Sequence, residues 1–155
     1  MPVMHMNKTT SAAKRYLIDT NIFLRTLVRE DERSNAACRS FLQAVRSRRV
    51  AAYTSPLVIA EIAWTLKSFY KLPKDELLQA LESVLVLRGL RVEAHEQVGK
   101  AVALYRSYNV KFVDALLASA PRVCSGSVVV VSYDREFDTI DGVVRMEPQE
   151  VVAAR

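Results

Sequence analysis

Four carboxylates in this sequence have surroundings that do not suit a solvated acid. Asp19 directly follows the apolar stretch YLI, and Asp134 follows VVVVSY, so both are expected at the carboxyl ends of strands, where open parallel sheets bind their ligands. Glu61 lies within LVIAEIAWTL, and Asp114 lies within FVDALLASA. Because an unpaired charge is costly to bury, each acid needs a cation, which could be an arginine, a lysine or a metal ion.

Each acid taken alone also has a simpler structural interpretation. These are a helix cap for Asp19, a buried ion pair for Glu61, a Lys111 partner for Asp114 and a turn for Asp134. Taken together, two acids at strand ends and two on buried helices could form one cluster at one sheet edge. Oxygen ligands without His or Cys suit Mg²⁺ or Mn²⁺. Metal-assisted hydrolysis of a phosphodiester is the chemistry that such a site would support.

The elements that must position these acids alternate between strands and helices. The helix from 57 to about 70 is apolar nearly all round and is expected to be buried, with Trp64 in the core or in a dimer contact. The stretch VVVVS at 128–132 is apolar on both faces, which is typical of a central parallel strand. The pattern predicts an α/β sandwich with a parallel sheet. Strands are predicted at 15–18, 50–54, 90–93, 128–132 and about 143–146, and helices at 20–29, 34–49, 57–70, 74–87, 94–108 and 111–120.

Length and composition are those of one globular domain. The chain has 155 residues, of which 50% are hydrophobic and 25% charged. The sequence has no apolar run of membrane-spanning length and no apolar core typical of a secretory signal near its start, so we expect a cytoplasmic protein without membrane contact. The predicted organisation is a flexible tail at 1–14, a domain at 15–147 and a C-terminal tail at 148–155. Two cysteines, Cys38 and Cys124, are expected to be reduced.

Positive charge is concentrated in the first third of the chain. Residues 1–50 hold 10 Lys+Arg against 4 Asp+Glu, a balance of +6, whereas the whole chain has a net charge of +5. This distribution favours a polyanionic partner such as a nucleic acid. Arg46, Arg48 and Arg49 are candidate phosphate contacts, although a solvated helix end explains them nearly as well.

Four segments together resemble the PIN domains, and most closely the VapC-type toxins of toxin–antitoxin pairs. They are YLIDTNIFL at 16–24, SPLVIAEIAWTL at 55–66, FVDALLASA at 112–120 and VVVVSYDREFD at 128–138. They occur in the family's order, and the resemblance covers about residues 15–147. It implies a three-layer α/β/α sandwich with a central, mainly parallel sheet. It also implies an Mg²⁺- or Mn²⁺-dependent endoribonuclease with an RNA substrate, a homodimer and a cognate antitoxin that inhibits it.

The resemblance also implies a role for each acid. Asp19, Glu61 and Asp114 match the three acids that hold the metal in such proteins. Asp134 matches a fourth, more variable acid near the metal or its water. These four are therefore the predicted metal-binding and catalytic residues.

Four further polar residues match supporting positions of the family. Thr20 and Asn21 match residues that order the first acid, and Ser132 matches a small hydroxyl residue two positions before the fourth acid. Asp138 is a weaker candidate whose role could be structural.

Two other classes of protein also place aspartates at strand ends. Phosphatases that form a phosphoaspartate need a second Asp two positions after the first, where this sequence has Asn21. Receiver domains have paired acids ahead of their phosphorylated strand, which are not found here. A PIN fold that serves only as an RNA-binding protein or scaffold is disfavoured by the presence of all four acids. DNA stays open as a substrate, because metal chemistry does not select the sugar.

Overall fold

A computed structural model of the chain describes residues 14–28 and 32–154. In these residues β1 spans Tyr16–Leu17, β2 Ala52–Thr54, β3 Leu90–Val92, β4 Val130–Val131 and β5 Arg145–Met146. The helices are α1 Thr20–Leu27, α2 Glu32–Arg46, α3 Pro56–Ser68, α4 Lys74–Leu85, α5 His95–Ser107, α6 Phe112–Ala118, α7 Pro121–Cys124 and α8 Pro148–Ala153, with a 3-10 helix at Arg135–Thr139. None of these helices is long and apolar enough to cross a membrane.

All the strand pairs found in the described residues are parallel. β2 pairs with β1 on one side and with β3 on the other, with Tyr16 opposite Ala52 and Ala52 opposite Leu90. β4 pairs with β5 in a second ladder, with Val130 opposite Arg145. The connections from β1 to β2 and from β2 to β3 each contain two α-helices, whereas the connection from β4 to β5 contains only the 3-10 helix. The predicted α/β architecture with a mainly parallel sheet is therefore confirmed.

The predicted start of helix α3 is confirmed, but the prediction that the helix is buried nearly all round is wrong. Its N-terminus carries the expected Ser55-Pro56 pair, and the backbone N–H of Val58 donates to Ser55 Oγ at 3.4 Å. The buried face packs against α1, α4 and α6. The opposite face is open, because Leu57 is 77% exposed and Trp64 is 63% exposed. Trp64 is therefore not a core residue.

The strand predicted at 128–132 is shorter and less buried than its composition suggested. Only Val130 and Val131 pair, because their partner β5 has two residues. Val128 and Val129 lie outside this ladder, and the Val128 N–H donates instead to the Arg122 carbonyl. Val131 is 54% exposed, so the expected burial on both faces is wrong.

The two predicted tails either differ from the prediction or lie mostly outside the described residues. Residues 148–153, assigned from the sequence to a tail, form α8, which begins with a capping box between Glu147 and Glu150. Of the predicted N-terminal tail, residues 1–13 lie outside the described residues. Both cysteines are free, and Cys38 is buried.

Gly89 fixes the turn that leads from α4 into β3. Its φ is +84°, and a Cβ atom at this position would lie 2.1 Å from the carbonyl oxygen of Val45 near the end of α2. Glycine is the residue that tolerates both this backbone conformation and this close approach.

Candidate active site

Three carboxylates gather around the ammonium group of Lys111 at the start of α6. Lys111 Nζ lies 2.7 Å from Asp134 Oδ2, 3.8 Å from Asp114 Oδ2 and 4.0 Å from Glu136 Oε2. One oxygen from each of the three acids lies within 4.8 Å of the others. We call Asp114, Asp134 and Glu136 the acid cluster. Lys111 itself is in the N-cap position of α6, and its backbone N–H donates to Glu136 Oε2 at 3.2 Å.

Asp134 is oriented by the turn between β4 and the 3-10 helix. Its backbone N–H donates to Ser132 Oγ at 3.0 Å, and its Oδ1 accepts from the backbone N–H of Glu136 at 3.0 Å. The hydrogen bond from Lys111, assisted by the Glu136 N–H, holds the pKa of Asp134 below its usual value. This carboxylate is therefore ionised and fixed, as a metal ligand must be.

Asp114 differs from its neighbours because it is largely buried. Its side chain is 15% exposed, and its Oδ2 atom is buried without a hydrogen-bond partner among the described residues. The Lys111 ammonium group is near enough for an ion pair but too far for a hydrogen bond. Burial raises the pKa of Asp114, although the charge of Lys111 partly opposes this effect. An orphaned, desolvated oxygen beside two more carboxylates fits a divalent cation.

Glu61 belongs to a second group that forms at the start of α1. The hydroxyl of the buried Thr20 donates to Glu61 Oε2 at 2.6 Å, across the contact between α1 and α3. Glu61 is exposed, contrary to the prediction of a buried acid, because it lies on the open face of α3 beside Leu57 and Trp64. The alternative of a buried ion pair for Glu61 is therefore wrong, and a neutral hydroxyl is its hydrogen-bond partner.

Asp19 lies immediately after β1, as predicted. The end of β1 is fixed through Ile18, whose N–H donates to Tyr53 O at 2.9 Å and whose carbonyl accepts from the buried Thr54 hydroxyl at 3.1 Å. Asp19 occupies the N-cap position of α1, but its side chain makes no capping hydrogen bond and is exposed. The carboxylate is thus free to accept a ligand.

The four predicted acids therefore fall into two groups in the structure. Asp114 and Asp134 share the acid cluster, whereas Asp19 and Glu61 lie at the junction of α1 and α3. α3 packs against both α1 and α6, so one helix connects the two groups. Among the described residues, the acid cluster is the group of at least three His, Cys, Asp or Glu side chains whose potential ligand atoms all lie within 4.8 Å of one another. A single site with all four acids stays a prediction.

The chain is similar to known proteins over most of its length. Residues 16–143 match the family described as the PIN domain. The chain belongs to the PIN-domain family. The three-layer α/β/α sandwich predicted from the sequence follows from this membership and agrees with the parallel sheet and its flanking helices.

The PIN domain is also similar to a named ribonuclease. It is 25% identical over 134 residues to a protein named VapC ribonuclease from Aquifex aeolicus (strain VF5), an alignment that covers 86% of this chain and 97% of the relative. No solved structure matches the chain significantly.

Glu136 is the one member of the acid cluster that the sequence analysis missed. It follows Asp134 by two residues, and the first turn of a 3-10 helix brings it back towards Lys111. The available signal was the spacing YDREFD, in which three acids occur at every second position. Only the outer two, Asp134 and Asp138, were considered.

Asp138 forms an ion pair with Arg145 on β5. Its two carboxylate oxygens accept from Nε and Nη2 of Arg145 at 2.8 and 3.0 Å. The same guanidinium donates through Nη1 to the Ser132 carbonyl at 2.7 Å. The hydrogen bond from Arg145 lowers the pKa of Asp138. Arg145 thereby fastens β5 to the turn that carries Asp134.

The predicted RNA-contacting arginines and Asn21 are exposed. Arg46 is in the last turn of α2, and Arg48 and Arg49 follow it on the surface. Arg49 Nε donates to Ser47 Oγ at 3.0 Å. Asn21 is exposed in α1, and in the described part of the chain its side chain makes no hydrogen bond. Thr20 is buried and donates its hydroxyl hydrogen bond to Glu61, and its ordering of Asp19 stays a prediction.

Proposed function

We propose that this PIN domain is a divalent-metal-dependent endoribonuclease and the toxin of a toxin–antitoxin pair. The carrying observation is the acid cluster, in which the buried Asp114 Oδ2 has no hydrogen-bond partner but lies beside two further carboxylates. Family membership and the likeness to a protein named VapC ribonuclease support ribonuclease activity. A PIN-fold scaffold without catalysis is the alternative, and it gives no reason to keep such an oxygen buried without a hydrogen bond.

The metal would be held by carboxylates alone. Asp114 and Asp134 are the proposed ligands on α6 and at the 3-10 helix, with Asp19 and Glu61 as proposed ligands from α1 and α3, and Glu136 as a further donor. An oxygen-only ligand set favours Mg²⁺, with Mn²⁺ as a substitute. When bound, such an ion makes water a stronger nucleophile and stabilises the leaving oxygen of a phosphodiester.

The chain's own residues orient these carboxylates and attract the substrate. Thr20 holds Glu61 through its hydroxyl, and Ser132 together with the Glu136 N–H holds Asp134. Lys111 offsets part of the negative charge of the acid cluster and adds a positive charge beside it. The exposed arginines after α2 supply further charge for the RNA backbone.

The proposal includes two protein partners. A homodimer is supported by large apolar side chains that α3 and α6 leave in solvent, among them Leu57 (77% exposed) and Leu117 (55% exposed). Leu57→Lys with Leu117→Lys should shift a dimer to monomer in light scattering. The second partner is an antitoxin, which should suppress cleavage when it is co-expressed. We further propose that the enzyme acts in the cytoplasm, where its RNA substrate is present.

Cleavage of structured RNA by the purified protein tests the activity. Mg²⁺ or Mn²⁺ should support cleavage, and EDTA, Asp19→Asn, Glu61→Gln and Asp114→Asn should each abolish it while circular dichroism shows an intact fold. Asp141→Asn is the matched control, because Asp141 is an exposed acid outside the cluster. A DNA strand of the same sequence tests selection of the sugar. Full activity in both Glu61→Gln and Asp114→Asn would overturn the proposed mechanism.

Absence of cleavage of any RNA would favour the scaffold alternative. Calorimetric titration with Mn²⁺ then separates the two cases. Binding that Asp114→Asn abolishes would keep the metal site and indicate a narrow RNA target, whereas no binding would leave only a scaffold.

A further inference from the structure

A cavity of about 500 Å³ opens beside the acid cluster, between α3 and the segment that joins α5 to α6. Its walls come from Trp64 and Lys67 on one side and from Asn109 and Lys111 on the other. The size is within the range of pockets that bind small organic ligands. Lys111 and Glu136 line this cavity and also belong to the site described above, so the cavity and the acid cluster share a wall.

The lining of the cavity suits a ligand that carries both an aromatic ring and negative charge. Trp64 presents an indole ring that is 63% exposed, and Ala60, Ala63 and Val113 add apolar surface. Three lysines, Lys67, Lys74 and Lys111, line the cavity against one acid.

The three lysines differ in how far they are already engaged. Lys74 Nζ donates to the Tyr108 carbonyl at 2.9 Å and lies 5.0 Å from the centre of the Tyr105 ring. Lys111 is held by the acid cluster. Lys67 is exposed and has no ion-pair partner within residues 14–28 and 32–154. Lys67 is therefore the cation that is available to a phosphate group.

We propose that this cavity binds one unpaired nucleotide of the RNA, next to the phosphodiester that is cleaved. The base stacks on Trp64, the Asn109 amide hydrogen-bonds to its edge and Lys67 pairs with its phosphate. This proposal rests on the proposed function and adds to it a specificity pocket. Stacking on an aromatic ring and hydrogen bonds to the base edge are how proteins select single-stranded RNA.

The lysines in the lining favour a nucleotide over a second copy of the chain. The apolar core of a protein–protein interface is depleted in charged residues, and lysine is depleted more widely there. This cavity instead has an unpaired lysine beside its aromatic ring, and it adjoins the site where RNA would be cut. A protein occupant is the competing outcome of the test.

Trp64 is the single tryptophan of the chain and therefore reports on its own pocket. We would titrate the protein in EDTA with short single-stranded oligoribonucleotides and follow tryptophan fluorescence. Stacking should quench the emission saturably, and an oligonucleotide of abasic sites should bind without quenching. Because EDTA removes metal-dependent catalysis, the readout does not require activity.

Substitutions then test each wall. Lys67→Gln and Asn109→Ala should raise the dissociation constant measured by quenching about tenfold. Trp64→Ala, followed with a labelled oligonucleotide, should raise it roughly 5- to 100-fold, the range found when a stacking ring is removed. Phe69→Ala and Lys71→Gln are matched controls, because both residues are exposed near the end of α3 but do not line the cavity. Both controls should bind as the wild type does.

Cleavage of RNAs that differ in one base beside the cut completes the test. The wild type should prefer certain bases, and Trp64→Ala and Asn109→Ala should lose this preference while metal-dependent cleavage persists. Cleavage without quenching, or with unchanged base preference in both variants, would overturn the pocket and leave the ribonuclease intact. If a second copy of the chain occupies the pocket, quenching or the change in base preference would likewise be absent. In that case Trp64→Ala would dissociate the dimer. Quenching without cleavage of any RNA would support the pocket while rejecting the ribonuclease.

Discussion

Lys111 Nζ lies 2.7 Å from Asp134 Oδ2, so the chain supplies its own cation at the centre of its acid cluster. The hydrogen bond between them is charge-assisted, and it raises the pKa of Lys111 and lowers that of Asp134. The ammonium group and a bound metal ion would therefore neutralise the same carboxylates. This relationship gives the first prediction.

Lys111→Met should destabilise the metal-free protein and make its stability more dependent on added metal. Without the ammonium group, three neighbouring carboxylates repel one another, and a divalent cation relieves more repulsion than it does in the wild type. The midpoint of thermal unfolding with and without MgCl₂ measures this effect. Lys71→Met is the control, since Lys71 is exposed and forms no ion pair with the acid cluster. Equal metal-induced shifts in wild type and Lys111→Met would contradict the shared role.

Thr20→Val should lower cleavage about 10- to 100-fold, the usual effect of losing a residue that orients a metal ligand. The substitution removes the hydroxyl that donates to Glu61 at 2.6 Å but keeps the shape of this buried side chain. Thr20→Ser keeps the hydroxyl and should retain most of the activity. Single-turnover rates at saturating metal compare the two. Comparable rates for the Val and Ser variants would show that the hydrogen bond does not matter.

Gly89→Ala should destabilise the fold by about 2 kcal/mol or more, because the residue has a positive φ and its Cβ would lie 2.1 Å from the Val45 carbonyl oxygen. Gly99→Ala provides the opposite case. Gly99 lies within α5, and a Cβ atom there has no neighbour within 4 Å. This substitution should stabilise the protein by about 0.5–1 kcal/mol. Urea unfolding measures both changes, and the same sign in the two variants would refute this account of Gly89.

Asp138→Asn should reduce stability near neutral pH but not in strong acid. Arg145 lowers the pKa of Asp138 in the folded protein, so the unfolded state binds the proton more readily. The stabilisation is present above the unfolded pKa of about 3.9 and is lost as the pH falls through the lower, folded pKa. Unfolding free energies measured from pH 7 downwards should converge with those of the wild type. Asp141→Asn removes an exposed acid that has no ion pair in the described residues. The difference between its unfolding free energy and that of the wild type should not shrink in this way as the pH falls.

The sequence predicted the helices better than the strands. α3 was placed to within one or two residues because its serine cap and its apolar run are local signals. The strand at 128–132 was overestimated because strand length depends on the partner, and β5 contributes only two paired residues. The sequence of the valine stretch does not determine the length of its partner strand.

The sequence indicated which acids to consider for the candidate site but not which residues they contact. Asp19, Asp114 and Asp134 lie where strand ends and helix starts were expected, and the Lys111–Asp114 pair was foreseen as an alternative. The exposure of Glu61 could not be predicted, because it depends on which face of α3 its neighbours cover. Glu136 was missed because a 3-10 turn, rather than an extended strand, follows Asp134.

The guanidinium of Arg145 on β5 has a consequence for how the protein is made. It bonds both Asp138 and the Ser132 carbonyl, and so it secures the turn that presents Asp134 and Glu136. Asp19, Glu61 and Asp114 all precede this segment in the chain. The support of the acid cluster is therefore complete only after the ribosome has synthesised β5. We expect a ribonuclease arranged in this way to be inactive while most of its chain is being translated.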